Sequence, residues 1–145
     1  MEFREAVLDD IDDIIEIEKE AFSNTGDVWN SEAMQFSIVD DMYRVFVCID
    51  NNNVVAYVVM TYSLYEAYIS KIAVKKIYRN NGYAKKLLEF CISNLDTEMF
   101  TLEVRSKNKV AIKLYTNCGF EKAGLREGMY FSPNDDAVVM IRKRD

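Results

Sequence analysis

The sequence contains no histidine, a single proline and only three cysteines among its 145 residues. Without histidine, a general acid or base must be a carboxylate, a tyrosine, a lysine or a water molecule that these groups hold. Cys48, Cys91 and Cys118 are odd in number and lie within apolar patterns, so we expect core residues and no disulfide framework. With no histidine and scattered cysteines, we expect no metal site.

Long apolar runs are also missing. The longest, residues 54–60, is far shorter than the roughly 20 residues that a membrane-spanning helix needs. Residues 1–5 lack the apolar core of a secretory signal, so we expect a cytoplasmic protein with no membrane partner. The formal net charge of −6 argues against a general nucleic-acid binder, which normally carries a basic face.

Half of the residues are apolar, and the chain has the length of one domain. We therefore expect a single domain over residues 1–145, without repeats or linkers. Strand patterns interleaved with helix patterns predict an α/β fold, in which a mixed and mostly antiparallel sheet carries helices on both faces.

The stretch from residue 68 to residue 95 is the centre of the sequence. Residues 68–74 are typical of a buried strand, a polar loop with Gly82 follows, and Tyr83 begins an amphipathic helix. The first amides of a helix have no internal acceptor, and the helix dipole makes that end partly positive, so the loop suits a diphosphate. An ordinary strand-to-helix turn with one glycine has the same local pattern.

A second stretch places a carboxylate on a strand. Residues 101–108 predict a strand that runs into a polar turn, and residues 110–118 predict a helix closed by Gly119. Phe100, Leu102 and Val104 share one face of this strand, which leaves Glu103 on the other. Glu103 is then either a solvent-facing residue, paired with Arg105 or Lys71, or a functional carboxylate.

Together these two stretches resemble the GNAT family of acyl-CoA N-acyltransferases. The loop Arg79-Asn80-Asn81-Gly82-Tyr83-Ala84 fits that family's pyrophosphate motif, Gln/Arg-x-x-Gly-x-Gly/Ala. The RimI-like branch of protein N-terminal acetyltransferases is similar at the segments Leu102-Glu103-Val104-Arg105, Asn108, Leu114-Tyr115 and Gly119-Phe120. The resemblance covers residues 68–120 well and the flanking segments more loosely.

The resemblance implies acetyl-CoA-dependent transfer of an acetyl group to the N-terminal amine of a protein, by direct attack on the thioester, with ribosomal proteins among the candidate acceptors. One alternative is a GNAT enzyme that acts on lysine side chains or on a small amine. Another is a catalytically silent acyl-CoA-binding module, but a pure binder needs neither Glu103 nor Tyr115. The sequence is compatible with a monomer and does not define the oligomeric state.

By this resemblance Glu103 accepts the proton of the amine, and Tyr115 donates a proton to the sulfur of coenzyme A. The alternative for Tyr115 is a core residue on the apolar stripe of its helix. The family also carries a β-bulge in the strand of residues 66–74, which would leave backbone groups free for the cofactor. The cofactor-binding residues that the resemblance implies are Ile72, Ala73, Val74, Arg79, Asn80, Asn81, Gly82, Tyr83, Ala84, Lys85, Asn108 and Tyr115. Asn108 is also a candidate N-cap of its helix, and the two roles are compatible.

The resemblance also implies that two loops flank a cleft in which the acceptor binds. Phe22 and Trp29 flank the connection between the first two helices, and Tyr130 lies in an expected loop over residues 128–131. Trp29 is equally well explained by packing at the edge of the core. In the RimI-like branch a proline stands next to the tryptophan, where this chain has Val28.

Three local features complete the prediction. The acidic residues of the first helix are either a patch for basic peptides or a solvated helix face. Residues 50–53 predict a hairpin turn, because asparagine and aspartate tolerate left-handed conformations. Ser31 is the predicted N-cap of the second helix.

Overall fold

The computed structural model describes residues 1–25, 27–131 and 134–144. Within these residues the chain forms seven strands, four α-helices and two short 3-10 turns. The strands are β1 Glu2–Glu5, β2 Tyr43–Asp50, β3 Asn53–Tyr62, β4 Ala67–Val74, β5 Met99–Arg105, β6 Glu121–Tyr130 and β7 Asp135–Lys143. The helices are α1 Ile11–Phe22, α2 Ser31–Val39, α3 Tyr83–Asn94 and α4 Lys109–Asn117, and the 3-10 turns are Leu8–Asp10 and Lys76–Tyr78. No helix in the described ranges has the length and hydropathy to cross a membrane.

All seven strands belong to one sheet in the order β1-β2-β3-β4-β5-β7-β6. Neighbouring strands are antiparallel except β4 and β5, which are parallel. The helix α3 joins these two strands, because parallel neighbours need a crossover connection. The predicted mixed, mostly antiparallel sheet is confirmed.

The helices cover both faces of the sheet, as predicted. The core beneath α1 and α2 includes Ile14 and Met34, and the core beneath α3 and α4 includes Leu87 and Cys118. Strand β3 runs between these two layers and is buried throughout residues 54–60, which explains its unbroken apolar sequence. The three cysteines are buried and unpaired, as expected.

The connection between β2 and β3 is the predicted hairpin. Asn51 and Asn52 have φ angles of 51° and 63°, both in the left-handed region. Asp50 pairs directly with Asn53 across the turn. A two-residue loop with two left-handed residues matches the twist of the strands, and asparagine reaches this conformation at little cost.

Two local expectations are wrong. Asn30, and not Ser31, caps α2, and its Oδ1 accepts the amide proton of Ala33 at 2.8 Å. Residues 128–131 were expected in a loop, yet β6 continues to Tyr130. The strand register shifts between Arg126 and Tyr130, so this part of β6 is an irregular strand that pairs again at its last residue.

The acidic residues of the 3-10 turn Leu8–Asp10 and of α1 divide into two groups. A solvated face describes the exposed members, which are Asp9, Asp12, Asp13, Glu16 and Glu20. This interpretation is wrong for Asp10 and Glu18, because both are buried. Glu18 follows Ile11 by seven residues and Ile14 by four, so helical periodicity places it on the buried face.

Candidate active site

Strands β4 and β5 separate halfway along their length. They pair only through Ala67–Ile69 of β4 and Phe100–Leu102 of β5, although both strands continue further. Beyond this point, within the described residues, β4 pairs with β3 and β5 pairs with β7. The sheet therefore has a wedge-shaped opening, with residues 70–74 on one side and residues 103–105 on the other.

A β-bulge lies at the start of this opening. Val59 pairs with Lys71 and Met60 pairs with Ile69, so Ser70 is the extra residue of β4. The bulge confirms the expectation drawn from the family resemblance. Because β5 leaves β4 here, alternate backbone groups of residues 72–74 face the opening. The predicted contact of Ile72, Ala73 and Val74 with the cofactor remains a prediction.

The N-terminus of α3 has the features of an anion site. Gly82 is the N-cap with a φ of +79°, and a Cβ atom built on it meets nothing within 4 Å. The first amide of this region with an internal acceptor is that of Lys86, which donates to the Gly82 carbonyl at 3.1 Å. Among the described residues, no group accepts the amide protons of Tyr83, Ala84 or Lys85.

The loop before α3 is held in place by its own side chains. Nε of Arg79 donates to the carbonyl of Val74 at 3.0 Å, and Asn81 donates to the carbonyls of Tyr78 and Arg79. Asn80 adopts a left-handed φ of 66°. The Tyr83 hydroxyl donates to Asp50 at 2.5 Å. Tyr83 thus ties α3 to the β2–β3 hairpin, a structural role that the sequence did not reveal.

Glu103 lies on the face of β5 opposite to Phe100, Leu102 and Val104, as predicted. Its side chain is 14% exposed and accepts hydrogen bonds from Nη1 of Arg126 at 3.0 and 3.2 Å. The expectation that Glu103 pairs with Arg105 or Lys71 is wrong. Arg105 stacks on the Tyr130 ring, and Lys71 pairs with Glu18.

Two tyrosines accompany Glu103. The Tyr68 hydroxyl lies 3.5 Å from Oε1 of Glu103. Burial first, and then the charge of Glu103 and the hydroxyl of Tyr130, raise the pKa of Tyr68 to about 12. Burial and the charge of Glu103 also raise the pKa of Tyr130. The structure therefore brings Tyr68 of β4, Glu103 of β5 and Arg126 of β6 together around one carboxylate.

Tyr115 is buried in the core beneath α3 and α4, at 7% exposure, and its ring packs edge-on against Phe120. Its core position is confirmed. Burial, followed by the nearby hydroxyl of Tyr130, raises the pKa of Tyr115, so its hydroxyl is protonated at neutral pH and able to donate. No described residue is within hydrogen-bonding distance of that hydroxyl.

Asn108 is the N-cap of α4, as predicted, and its Oδ1 accepts the amide proton of Ala111 at 3.1 Å. Its Nδ2 has no acceptor among the described residues. A contact with the cofactor thus remains compatible with the capping role.

Phe22 and Trp29, near the two ends of the connection between α1 and α2, lie close to Lys71 of β4. The rings of Phe22 and Trp29 lie 4.2 and 5.3 Å from Nζ of Lys71, and the backbone amide of Trp29 donates to Glu18 at 2.8 Å. Trp29 is half-buried and packs on the core beneath α1 and α2, so its packing role is confirmed. Sequence reasoning missed Glu18, Lys71, Tyr68 and Arg126. For Glu18 the helical spacing from Ile11 was an available signal.

Most of the chain is similar in sequence to known acetyltransferases. Residues 9–120 match the model of the acetyltransferase (GNAT) family. The chain is 34% identical over 97 residues to the ribosomal protein bS18-alanine N-acetyltransferase of Haemophilus ducreyi, covering 63% of this chain and 67% of the relative. The Escherichia coli K12 protein of the same name is 32% identical over 105 residues, 69% of this chain and 71% of that protein.

A solved structure matches almost the whole chain. The crystal structure of the ribosomal-protein-S18-alanine N-acetyltransferase from Escherichia coli superposes with a TM-score of 0.88 at 26% identity. The alignment covers 98% of this chain and 92% of that one. Both the sequence relatives and the fold thus point to the same group of proteins.

Proposed function

The chain belongs to the GNAT family of acetyltransferases, and on this premise we propose that it transfers an acetyl group from acetyl-CoA to the N-terminal α-amine of a protein. The relatives named above act, by their names, on the alanine of ribosomal protein bS18. We propose an acceptor of the same kind, a ribosomal protein with a small N-terminal residue.

The observation that carries this proposal is the position of Glu103 at the opening between β4 and β5. The carboxylate faces the side of the sheet that α1 and α2 cover, with Tyr68 and Arg126 beside it. Acceptor and thioester then meet in the opening from opposite faces of the sheet. Phe22, Trp29 and Tyr130 would line the path of the acceptor.

The residues around the opening fit acetyl-CoA. Unpaired amides at the N-terminus of α3 suit the diphosphate, and the open space over Gly82 lets it approach the backbone. The free edge of residues 72–74 suits the amides of the pantetheine arm. The residues proposed to hold the cosubstrate are Ile72, Ala73, Val74, Arg79, Asn80, Asn81, Gly82, Tyr83, Ala84, Lys85, Asn108 and Tyr115.

The proposed reaction is a direct transfer. The neutral amine attacks the thioester carbonyl carbon, and its proton passes to Glu103, directly or through a water molecule. The carbon–sulfur bond then breaks, and the departing sulfur takes a proton from the Tyr115 hydroxyl. Arg126 keeps the Glu103 carboxylate oriented until the acceptor arrives.

The chemistry of the acceptor favours an N-terminus over a lysine side chain. The nucleophile must be neutral, and the pKa in an unstructured peptide is about 7.7–8.0 for an α-amine and about 10.4 for a lysine side chain. Near neutral pH, a far larger fraction of an N-terminal amine is therefore ready to react. A carboxylate base without a histidine partner suits this less demanding proton transfer.

A library of peptides with free N-termini, incubated with acetyl-CoA and read by mass spectrometry, tests the proposal. Acetylation at the first residue, strongest for a small residue such as alanine, is the expected result. Acetylation only at internal lysines would contradict it. Binding of acetyl-CoA without any peptide product would instead identify a silent acyl-CoA-binding module.

A further inference from the structure

The buried face of α1 carries a carboxylate that the proposed reaction does not use. Glu18 is 0% exposed. Its oxygens accept the Tyr57 hydroxyl, the backbone amide of Trp29 at 2.8 Å and Nζ of Lys71 at 2.7 Å. Burying a charge is costly unless it is paired and hydrogen-bonded, so this arrangement depends on all of its members.

Lys71 reaches Glu18 because of the bulge at Ser70. Ala67 and Ile69 point into the core beneath α3 and α4. Strict alternation would send Lys71 the same way, but the extra residue reverses the phase, so that Lys71 and Ala73 face α1. The bulge that opens the sheet thus also puts Lys71 on the face that carries Glu103.

The same ammonium group holds the connection between α1 and α2. Nζ of Lys71 donates to the backbone carbonyl of Asp27 at 2.5 Å and lies 4.2 Å from the centre of the Phe22 ring. Glu18 accepts the amide of Trp29 two residues further along. Two backbone groups of this connection are therefore anchored to one buried ion pair.

We propose that Glu18 and Lys71 are positioning residues for the acceptor. Their ion pair sets how far the wall formed by Phe22 and Trp29 stands from β4, and hence the width of the acceptor side of the cleft. This inference rests on the proposed function. It assigns the pair no contact with acetyl-CoA, whose proposed diphosphate site lies at the N-terminus of α3.

The test is a double variant, Glu18→Gln with Lys71→Met. It removes both buried charges together, because loss of one alone would leave the other unpaired and endanger folding. Glutamine keeps an oxygen for the Trp29 amide, but methionine cannot hold the Asp27 carbonyl. We expect the KM for an N-terminal peptide to rise at least roughly tenfold, a change worth about 1.4 kcal/mol, while the Kd for acetyl-CoA, measured calorimetrically, changes less than about twofold.

A matched control exists on the surface of the same elements. Glu16 and Lys75 form an exposed pair at 3.9 Å between α1 and the residue after β4, with side-chain exposures of 69% and 29%. Glu16→Gln with Lys75→Met makes the same chemical change without touching the cleft. We expect the control to keep both the peptide KM and the acetyl-CoA Kd of the unaltered protein.

An unchanged peptide KM in the folded double variant would overturn the inference, and so would equal weakening of peptide and acetyl-CoA binding, which indicates general loss of structure. Should the double variant not fold, Lys71→Arg keeps the charge but its larger head group displaces the Asp27 carbonyl, and the same split between peptide and acetyl-CoA is expected. Failure of the proposed function gives a different result, because the unaltered protein then acetylates no N-terminal peptide. That result would also overturn the inference.

Discussion

Nη1 of Arg126 lies 3.0 and 3.2 Å from the two carboxylate oxygens of Glu103. Arg126 is on β6, so it reaches past β7 to a residue of β5. Its side chain is 56% exposed and that of Glu103 only 14%, so the arginine stands on the solvent side of the carboxylate. Under the proposed function, an acceptor amine that approaches Glu103 from solvent meets Arg126 first.

Replacing Glu103 by glutamine removes the proposed base while keeping its shape. We expect turnover to fall by roughly 10²–10⁴, the usual contribution of a positioned acid or base, with acetyl-CoA affinity unchanged. Steady-state kinetics and calorimetric titration measure the two quantities. Glu121→Gln makes the same change at an exposed position of β6 and serves as the control. Near-normal turnover of Glu103→Gln would remove this residue from the mechanism.

Removing the Tyr115 hydroxyl should lower activity without lowering stability. Because no described residue bonds to it, Tyr115→Phe should change the free energy of unfolding by less than about 1 kcal/mol. Turnover should nevertheless drop by roughly 10²–10⁴ if the hydroxyl protonates the leaving sulfur. Urea denaturation and kinetics on the same preparation check both statements. A stable variant with full activity would leave Tyr115 as a core residue only.

The diphosphate site is tested by a pair of substitutions at Gly82. Its φ of +79° is tolerated by asparagine better than by most residues, and a Cβ meets open space. Gly82→Asn therefore adds bulk without charge, whereas Gly82→Asp adds nearly the same bulk with a negative charge. We expect acetyl-CoA to raise the Tm of Gly82→Asn but not of Gly82→Asp. Equal stabilisation of the two variants would mean that the diphosphate binds elsewhere.

Asp10 predicts a pH dependence of stability. The Arg4 guanidinium, at 2.7 and 3.0 Å, and the Val7 amide lower the pKa of the Asp10 carboxyl below its usual 3.8. A lowered folded-state pKa stabilises the fold above the unfolded-state value, and this contribution is lost as pH falls through the folded-state value.

Asp10→Asn should therefore destabilise the protein by about 1–3 kcal/mol at pH 7. The difference from the unaltered protein should shrink as the pH falls below about 4. Urea denaturation at pH 7, 5, 4 and 3 measures it. Asp9→Asn, at the exposed neighbouring residue, should stay within about 0.5 kcal/mol throughout. A difference as large at pH 3 as at pH 7 would contradict the account of the ion pair.

Features defined by neighbouring residues were predictable from the sequence. Alternation placed Glu103 opposite Phe100, Leu102 and Val104, and helical periodicity placed Tyr115 on the buried face of α4. The turn at residues 50–53 depends on local backbone preferences and was also predicted. The family resemblance, which rests on two ordered motifs, is confirmed by the match over residues 9–120.

Features that depend on strand register were not predictable. Glu103 pairs with Arg126 because β7 lies between β5 and β6. This strand order cannot be read from the sequence. Lys71 pairs with Glu18 because one extra residue reverses the alternation of β4. Asn30 and Ser31 are both good caps, and only the backbone conformation distinguishes them.

The most direct measurement of the central claim compares two versions of one peptide. The first has a free N-terminal alanine and no lysine, and the second has a blocked N-terminus and one internal lysine. With saturating acetyl-CoA, we predict that kcat/KM for the first exceeds that for the second at least roughly tenfold, the factor that about 1.4 kcal/mol supplies. Equal values, or a preference for the blocked lysine peptide, would contradict N-terminal acetylation and identify a lysine acetyltransferase instead.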